Sequence, residues 1–189
     1  ANHGGKPLHG LFALVSTMTS PLRRTWAKWL IRSYLLRSPV WRSRNRPVEE
    51  RIRYQTACYL SRTYERSSLS VLSGFLIPAE LLHLYGAAPM FTEYLAPILT
   101  GTQRAAACLE ATESLGFSRD TCSFHRATLG AALTGYLPDY SLIVGTSHLC
   151  DGQNKTLEEL AARTHSPYLL LDVPQEASEQ AVTYLAGQL

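Results

Sequence analysis

The alternation of apolar runs and helical periodicity along the 189-residue chain predicts its fold class. Almost wholly apolar runs at 139–146 and 167–174 are typical of neighbouring central strands, buried on both faces of a parallel sheet. Segments with helical periodicity separate the strand-like runs, and proline or glycine often marks their ends. This order predicts an α/β fold, a mainly parallel sheet flanked by helices in a Rossmann-like three-layer arrangement. The predicted strands cover 68–75, 88–95, 139–146 and 167–174, and the predicted helices cover 78–86, 102–116, 122–135, 154–165 and 176–189.

The N-terminal third of the chain has a helical pattern of its own. A helix is predicted from Pro21, and it carries Trp26 and Trp29 between basic residues. A second helix is predicted over 48–66, with a proline before it and two glutamates in its first turn. The tryptophans and arginines could rest on an anionic membrane surface, receive coenzyme A phosphates or dock a redox partner. Alternatively, the arginines form a solvated basic face and the tryptophans pack against the rest of the protein.

Charge divides the chain at the same place. Residues 1–66 contain 13 Lys and Arg against 3 Asp and Glu, whereas residues 67–189 contain 5 against 12. We therefore predict a basic helical extension over 1–66 and an α/β domain over 67–189. Because no recognised nucleic-acid-binding motif accompanies the charge, we expect no nucleic-acid partner.

Membrane and disulfide signals are weak. No run of about 18 uninterrupted apolar residues occurs, and the short apolar run near the start lacks a basic segment before it, so we expect neither a membrane span nor a signal peptide. A cytoplasmic location follows from that expectation. Four cysteines spaced by 50, 14 and 28 residues are unlike a small disulfide scaffold and favour free thiols or metal ligands.

Two of the cysteines stand where a loop turns into a predicted helix. Cys122 heads one helix, and Cys150 follows a predicted strand and precedes another helix. The unpaired N–H groups at a helix start stabilise a thiolate, and ligands of parallel sheets bind beyond the carboxyl ends of strands. Both residues could equally be small buried side chains, as free cysteine commonly is. Cys58 and Cys108 lie among apolar neighbours inside helical patterns and are predicted to be core residues.

Other chemistry has less support. His125 and His148 lie near the two cysteines, but no H-x-E or C-x-x-C pattern supports a zinc site. A Cys–His nucleophile pair lacks a third member. Neither the dinucleotide-binding nor the P-loop glycine motif is present. At the start of the helix predicted over 154–165, Thr156 and Glu159 are spaced as a capping box.

Four motifs in order give the chain a familiar pattern. PAELLHLYGAAP, DTCSFHRATLGAALTG, SLIVGTSHLCDGQNKTLEEL and YLLLDVP occur in succession across 70–175. Together they resemble the 2-hydroxyacyl-CoA dehydratase and benzoyl-CoA reductase subunit family, of the iron–sulfur D-component type. That family has a Pro-x-Glu before an Ala-Gly-x-x-Pro, a cysteine that opens a helix, a Cys-Asp after a strand and a Leu-Asp-x-Pro. The first 65 residues carry no such match.

The resemblance implies roles for particular residues. Cys122 and Cys150 would be two of three thiolates that hold a [4Fe–4S] cluster, with the fourth iron position open. Glu80 would handle a proton or hydrogen-bond near the cluster, or it is a first-turn carboxylate that stabilises its helix. Four further residues would donate hydrogen bonds to cluster sulfur or fix the loop, or they have a purely structural role. They are Ser123, Ser147, His148 and Asp151.

The resemblance also implies a reaction and partners. An ATP-dependent activator protein would deliver a low-potential electron, which the cluster passes to an acyl-CoA thioester so that the neighbouring hydroxyl leaves. A second homologous subunit or domain would take part, and the third cysteine would lie in a second α/β domain beyond Leu189. We therefore expect these 189 residues to be inactive alone. A double-cubane-cluster reductase relative and a non-catalytic structural or regulatory domain are the alternatives.

Overall fold

The computed structural model describes residues 25, 28, 29, 31–33, 47–64, 69–74, 76–148 and 150–189. The described residues before 47 are helical, but most of the helix predicted from Pro21, Trp26 included, lies outside the described residues. No helix in the described part of the chain combines the length and the apolar character that a membrane crossing requires.

Four parallel strands form one sheet, which is flanked by helices. The strands are β1 (Ser70–Ser73), β2 (Ala88–Phe91), β3 (Leu142–Thr146) and β4 (Tyr168–Leu171), in the order β2-β1-β3-β4. The described helices after residue 47 are α1 (Val48–Thr63), α2 (Ala79–Leu84), α3 (Thr92–Gly101), α4 (Ala105–Glu113), α5 (Ser123–Leu133), α6 (Asp151–Thr164) and α7 (Glu179–Ala186). The predicted α/β architecture with a parallel sheet is thereby confirmed.

The position of β4 corrects one prediction. β3 and β4 are parallel neighbours, as their apolar runs predict, with Ile143 opposite Tyr168 and Thr146 opposite Leu171. β4 is nevertheless an edge strand of the described sheet, and Leu169 and Leu170 are each 42% exposed. The prediction that both strands are central is therefore wrong for β4. An apolar run reports a preference for burial and carries no information on the order of strands.

Two helix starts also differ from the predictions. The strand predicted over 88–95 ends at Phe91, and Thr92 begins α3. α6 begins at Asp151, a turn earlier than the predicted start, so the capping box of Thr156 and Glu159 is wrong. Thr156 lies inside the helix, where its hydroxyl donates to the Gly152 carbonyl at 2.8 Å.

The main core lies between one face of the sheet and helices α3 to α6. Leu72, Ile143 and Leu129 are fully buried there. A smaller cluster on the opposite face joins Val71, Val144 and Leu171 to the segment around α2. Burial of apolar side chains on both faces is what the near-continuous apolar strands require.

Helices α4 and α5 approach each other very closely within the main core. A Cβ built on Gly130 of α5 would lie 2.7 Å from the Cys108 Cα of α4 and closer still to the Cys108 carbonyl group. The Thr112 hydroxyl lies at the same contact, 2.7 Å from the Arg126 carbonyl and 3.0 Å from the Cys108 carbonyl. A glycine is therefore required for this helix pair to reach its observed separation.

Helix α1 packs on the sheet through its C-terminal half. Ala57, Ser61 and Thr63 are buried, and the Tyr64 hydroxyl donates to the Tyr136 carbonyl at 2.5 Å. The part of α1 that the structure describes thus contacts the α/β body. The boundary near residue 66 between a basic extension and an α/β domain stays a prediction.

The order of strands predicts a ligand-binding crevice beyond the carboxyl ends of the two central strands, β1 and β3. From β1 the chain moves to β2 on one side, and it later crosses to β3 on the other side of β1. In open parallel sheets such a reversal leaves a ligand-binding crevice beyond the carboxyl ends of the two strands. Here these ends lead to Gly74 and Glu80 after β1 and to Cys150 after β3.

Candidate functional site

Cys122 occupies the N-cap position of α5. Its φ and ψ of −48° and 127° are not helical, and its carbonyl accepts hydrogen bonds from the backbone N–H groups of His125 and Arg126, both at 3.1 Å. Among the described residues no side chain caps this helix. The side chain of Cys122 is exposed, so its thiol stands at an uncapped helix start where backbone N–H groups favour negative charge.

Cys150 occupies the same position on α6. It is extended, with φ −145° and ψ 98°, and its carbonyl accepts from the backbone N–H of Gln153 at 3.1 Å. No described side chain caps this helix either. Cys150 is half-buried, and the predicted placement of both cysteines at helix starts is confirmed.

The two helix starts meet around Gly152. A Cβ built on that glycine would lie 3.8 Å from the Cys150 Sγ, 3.8 Å from the His125 Cδ2 and 4.0 Å from the Thr121 Cγ2. Thr121 directly precedes Cys122, so the segment that carries Cys122 lies beside the Cys150 sulfur. The fold therefore brings together the two helix starts that carry the candidate ligands.

His125 contacts the Cys150 sulfur directly. Its Nε2 lies 3.3 Å from the Cys150 Sγ, and the residue is 6% exposed. Desolvation lowers the pKa of His125, and the nearby carboxylate of Glu93 opposes that shift in part. A buried imidazole of lowered pKa is neutral at pH 7 and carries one N–H group.

A buried amide connects α6 to the first turn of α3. Gln153 donates from its Nε2 to Glu93 Oε1 and is buried. Its side chain passes over the end of β1, where a Cβ on Gly74 would lie 2.6 Å from the Gln153 Nε2. A side chain at position 74 would therefore displace the amide of Gln153 from its observed place.

A buried guanidinium holds the segment before Cys122. The Arg126 Nε donates to the Thr121 carbonyl at 2.9 Å, and its Nη1 pairs with Glu113 Oε1 at 2.5 Å. Arg119 pairs with the other oxygen of Glu113 at 2.8 Å. Desolvation raises the pKa of Glu113, but the hydrogen bonds from Arg126 and Arg119 outweigh it, and the pKa lies below its ordinary value.

Ser147 joins the ends of β3 and β4. Its hydroxyl donates to Asp172 Oδ1 at 2.7 Å and accepts from the Val173 N–H at 2.8 Å. The Tyr184 hydroxyl of α7 donates to Asp172 Oδ2 at 2.9 Å. The hydrogen bonds from Ser147 and Tyr184 lower the pKa of the Asp172 carboxyl, against a smaller opposing effect of desolvation.

These two carboxylates predict a loss of stability in acid. A group whose pKa is lower in the folded state stabilises the protein above its unfolded pKa, about 4 for Asp and Glu, and this contribution is lost as the pH falls through the folded value. We expect Asp172→Asn and Glu113→Gln each to flatten the dependence of Tm on pH below about 5. Thermal denaturation followed by circular dichroism from pH 7 to pH 3 measures this, and the exposed Glu176→Gln is the matched control. Parallel curves for all variants and the parent chain would contradict the assignment.

The other predicted site residues lie around the crevice. Glu80 is exposed in the first turn of α2, just beyond β1. Ser123 and Asp151 are the exposed first residues of α5 and α6, and His148 is exposed between β3 and α6. Their roles stay predictions.

The other two cysteines do not reach this site. Cys108 is fully buried in α4, as predicted for a core residue, and burial raises the pKa of its thiol. Cys58 lies inside α1 and is half-buried. The prediction of a core residue is therefore confirmed for Cys108 and not for Cys58.

Two thiols at uncapped helix starts suit an anionic iron–sulfur cluster, because thiolates are the usual ligands and N–H groups stabilise the charge of the bound sulfur. The set is incomplete as a metal site, since the described residues contain no group of three or more His, Cys, Asp or Glu side chains that could hold a metal ion. Cys122 and Cys150 thus fit as part of a ligand set that needs a further contribution.

Sequence reasoning missed three residues that shape the site. The sequence suggested His125 only as a weak zinc ligand, and it did not suggest Gln153 or Arg126. All three lie three or four residues after a cysteine at the N-cap position, which places them about one turn into α5 or α6. That spacing is the local signal that could have marked them as neighbours of the cysteines.

Comparison with known proteins gives the family. The pattern of the 2-hydroxyglutaryl-CoA dehydratase D-component matches residues 75–189. The alpha subunit of lactoyl-CoA dehydratase from Anaerotignum propionicum is 27% identical over an alignment of 146 residues, and the match covers 65% of this chain and 35% of that protein. The chain therefore spans about a third of the length of this relative. The family match covers more than half of the chain, including both helices headed by cysteines, and the chain belongs to the 2-hydroxyglutaryl-CoA dehydratase D-component family.

Proposed function

We propose that this chain is the cluster-binding part of a 2-hydroxyacyl-CoA dehydratase, with Cys122 and Cys150 as two thiolate ligands of a [4Fe–4S] cluster. The observation that carries the proposal is the meeting of two cysteine-headed helix starts around Gly152, neither of them capped by a side chain, beyond the carboxyl end of β3. The family supports the acyl-CoA substrate class. A cluster held by these two cysteines and a further ligand would supply low-potential electron transfer and Lewis-acid chemistry to the substrate.

The residues of this chain hold and surround that group. Cys122 and Cys150 ligate, and the backbone N–H groups of both helix starts stabilise the negative charge of sulfur. Ser123, His148 and Asp151 lie at the same helix starts and donate hydrogen bonds or fix the loops. Ser147 donates its hydroxyl hydrogen to Asp172. It can therefore donate a hydrogen bond to sulfur only if its contact with Asp172 breaks.

Glu80 is proposed as the proton-handling carboxylate. It lies in the first turn of α2, beyond the carboxyl end of β1, and β1 is the direct neighbour of the strand that leads to Cys150. An exposed carboxylate at that edge can exchange protons with solvent and with a substrate in the crevice.

The proposal requires partners. A third thiolate comes from a second domain or subunit, because Cys58 and Cys108 are held within helices away from the crevice. The electron comes from an ATP-dependent activator protein, and this need for ATP favours a cytoplasmic location. The lactoyl-CoA dehydratase relative is itself named as a subunit, which supports assembly with another chain.

Anaerobic expression from the complete reading frame, together with an activator and ATP, tests the proposal. We expect a brown protein with iron and acid-labile sulfide that eliminates water from lactoyl-CoA or 2-hydroxyglutaryl-CoA only when ATP is present. The 189 residues alone are expected to bind substoichiometric iron and to show no turnover. A colourless preparation from the complete reading frame after anaerobic reconstitution would overturn cluster binding, and iron without turnover would favour a structural or regulatory role.

A further inference from the structure

The imidazole of His125 connects α5, the helix headed by Cys122, to the sulfur atom of Cys150, which heads α6. His125 lies in the first turn of α5, and its Nε2 is 3.3 Å from the Cys150 Sγ at the start of α6. The contact therefore crosses between the two cysteine-headed helices. It fixes the position of one candidate ligand relative to the element that carries the other.

The surroundings hold His125 in this orientation. The residue is 6% exposed, and its Cδ2 lies 3.8 Å from the Cβ position of Gly152, the same distance as the Cys150 Sγ. A larger residue at 152 would be in contact with both groups. Burial leaves the imidazole little free space in which to turn its Nε2 away from sulfur.

We propose that His125 is a positioning residue for Cys150 and that it donates its Nε2–H to the Cys150 sulfur. The inference rests on the proposed role of Cys150 as a ligand and goes beyond it, since it assigns the group that orients this ligand. The sulfur of a cysteine that ligates a metal has lost its hydrogen and can only accept, so the ring nitrogen that faces it at 3.3 Å must be the donor. The effect is on the sulfur of Cys150, with no contact to substrate required.

Donation of an N–H to a ligand sulfur has two consequences. It orients the side chain before the metal group binds, and it draws negative charge from the sulfur, which raises the reduction potential of a bound cluster. Removal of an outer hydrogen-bonding partner of this kind typically weakens metal retention by about 10-fold to 100-fold. A more negative midpoint potential is expected at the same time.

Two substitutions separate donation from packing. His125→Leu fills a similar volume without a donor, whereas His125→Gln carries an amide N–H at a comparable reach. Thr128→Val is the matched control, because Thr128 is buried one turn further along α5 and its hydroxyl donates within α5 to the Phe124 carbonyl. Thermal denaturation of each variant first establishes that it folds.

The first measurement needs no cluster. The iron-free chain is treated with iodoacetamide at one fixed pH, and labelling of the Cys150 peptide is followed by mass spectrometry with the Cys122 peptide as internal reference. Donation from His125 stabilises the negatively charged, reactive form of the sulfur. We expect His125→Leu to slow labelling of Cys150 about tenfold and His125→Gln to stay within about threefold of the parent.

The second measurement uses the protein from the complete reading frame, reconstituted anaerobically. We expect His125→Leu to release iron to a chelator about 10-fold to 100-fold faster and to have a more negative midpoint potential, with His125→Gln close to the parent. Unchanged labelling in His125→Leu would overturn the inference whatever the iron content. A Gln variant as impaired as the Leu variant would overturn donation, because it would show that the imidazole acts as a proton acceptor. Alternatively, the parent protein takes up no iron while His125→Leu still slows the labelling of Cys150. That result would reject the proposed function, and with it any role of His125 at a cluster. The hydrogen bond from His125 to the Cys150 sulfur would still be supported.

Discussion

Cys122→Ala and Cys150→Ala are each expected to remove the brown colour of the anaerobically reconstituted protein and to lower its iron content at least about tenfold. Each substitution deletes one thiolate from a set that already depends on a ligand outside these helix starts. A cluster would then be held by too few thiolates and would lose iron to solvent and chelators. Dehydratase activity is expected to fall below detection in both variants, because the methyl group of alanine cannot ligate iron.

Cys58→Ala is the matched control for this experiment. Cys58 is also a half-buried free cysteine, but it lies inside α1, so its loss changes the thiol count without changing the crevice. Iron analysis, broad visible absorption and turnover with ATP and activator are the measurements. Full iron in both Cys122→Ala and Cys150→Ala would reject the ligand assignment and would favour a structural domain.

Gly130→Ala is expected to destabilise the fold by about 3 kcal/mol or more, the upper range for overpacking of a core. The new Cβ would lie 2.7 Å from the Cys108 Cα and closer to the Cys108 carbonyl, which are backbone atoms that cannot rotate away. Helices α4 and α5 would have to separate, and the hydrogen bond from Thr112 to the Arg126 carbonyl, at 2.7 Å, would lengthen. For a chain of this size the expected fall in Tm is about 6–12 °C.

Gly101→Ala provides the opposite expectation at another helical glycine. Gly101 is the last residue of α3, is exposed, and has open space where a Cβ would be. Alanine is the better helix former by up to about 1 kcal/mol, so this variant should match the parent or exceed it. Thermal and urea denaturation compare the two. Equal stability of Gly130→Ala and Gly101→Ala would contradict the close approach of α4 and α5.

Destabilisation at Gly130 should also reach the candidate site. Helix α5 carries Cys122 at its start, His125 in its first turn and Arg126 beside it, and Arg126 holds the Thr121 carbonyl at 2.9 Å. Displacement of α5 from α4 would move these groups together relative to Cys150. Weak iron binding in Gly130→Ala would therefore be a consequence of helix packing and would carry no information on ligation.

Local pattern was sufficient for several features of this chain. Apolar runs of strand length gave three of the four strands close to their observed places, because a strand buried in a parallel sheet needs apolar side chains on both faces. The start of α5 beside Cys122 was also within reach of the sequence, since a helix start depends on a few neighbouring residues, whereas the start of α6 was predicted three residues too late. The order of the family motifs was enough to indicate the family, which the match over residues 75–189 confirms.

Tertiary structure alone decided the remaining features. Thr92 begins a helix where the strand-like pattern continues to residue 95, and that helix buries Leu95 and Leu99 against the sheet. β4 takes an edge position in the described sheet because strand order depends on how the connections cross the sheet. An apolar run in the sequence does not predict those connections.

The contacts of the candidate site belong to this second class. Neither the 3.3 Å contact between His125 and Cys150 nor the passage of Gln153 over Gly74 follows from any spacing along the chain. They arise because α5 and α6 pack side by side on the same face of the sheet, which brings residues 25 positions apart into contact. The sequence by itself therefore determined which residues could serve as ligands, and the packing of two helices decided which side chain supports one of them.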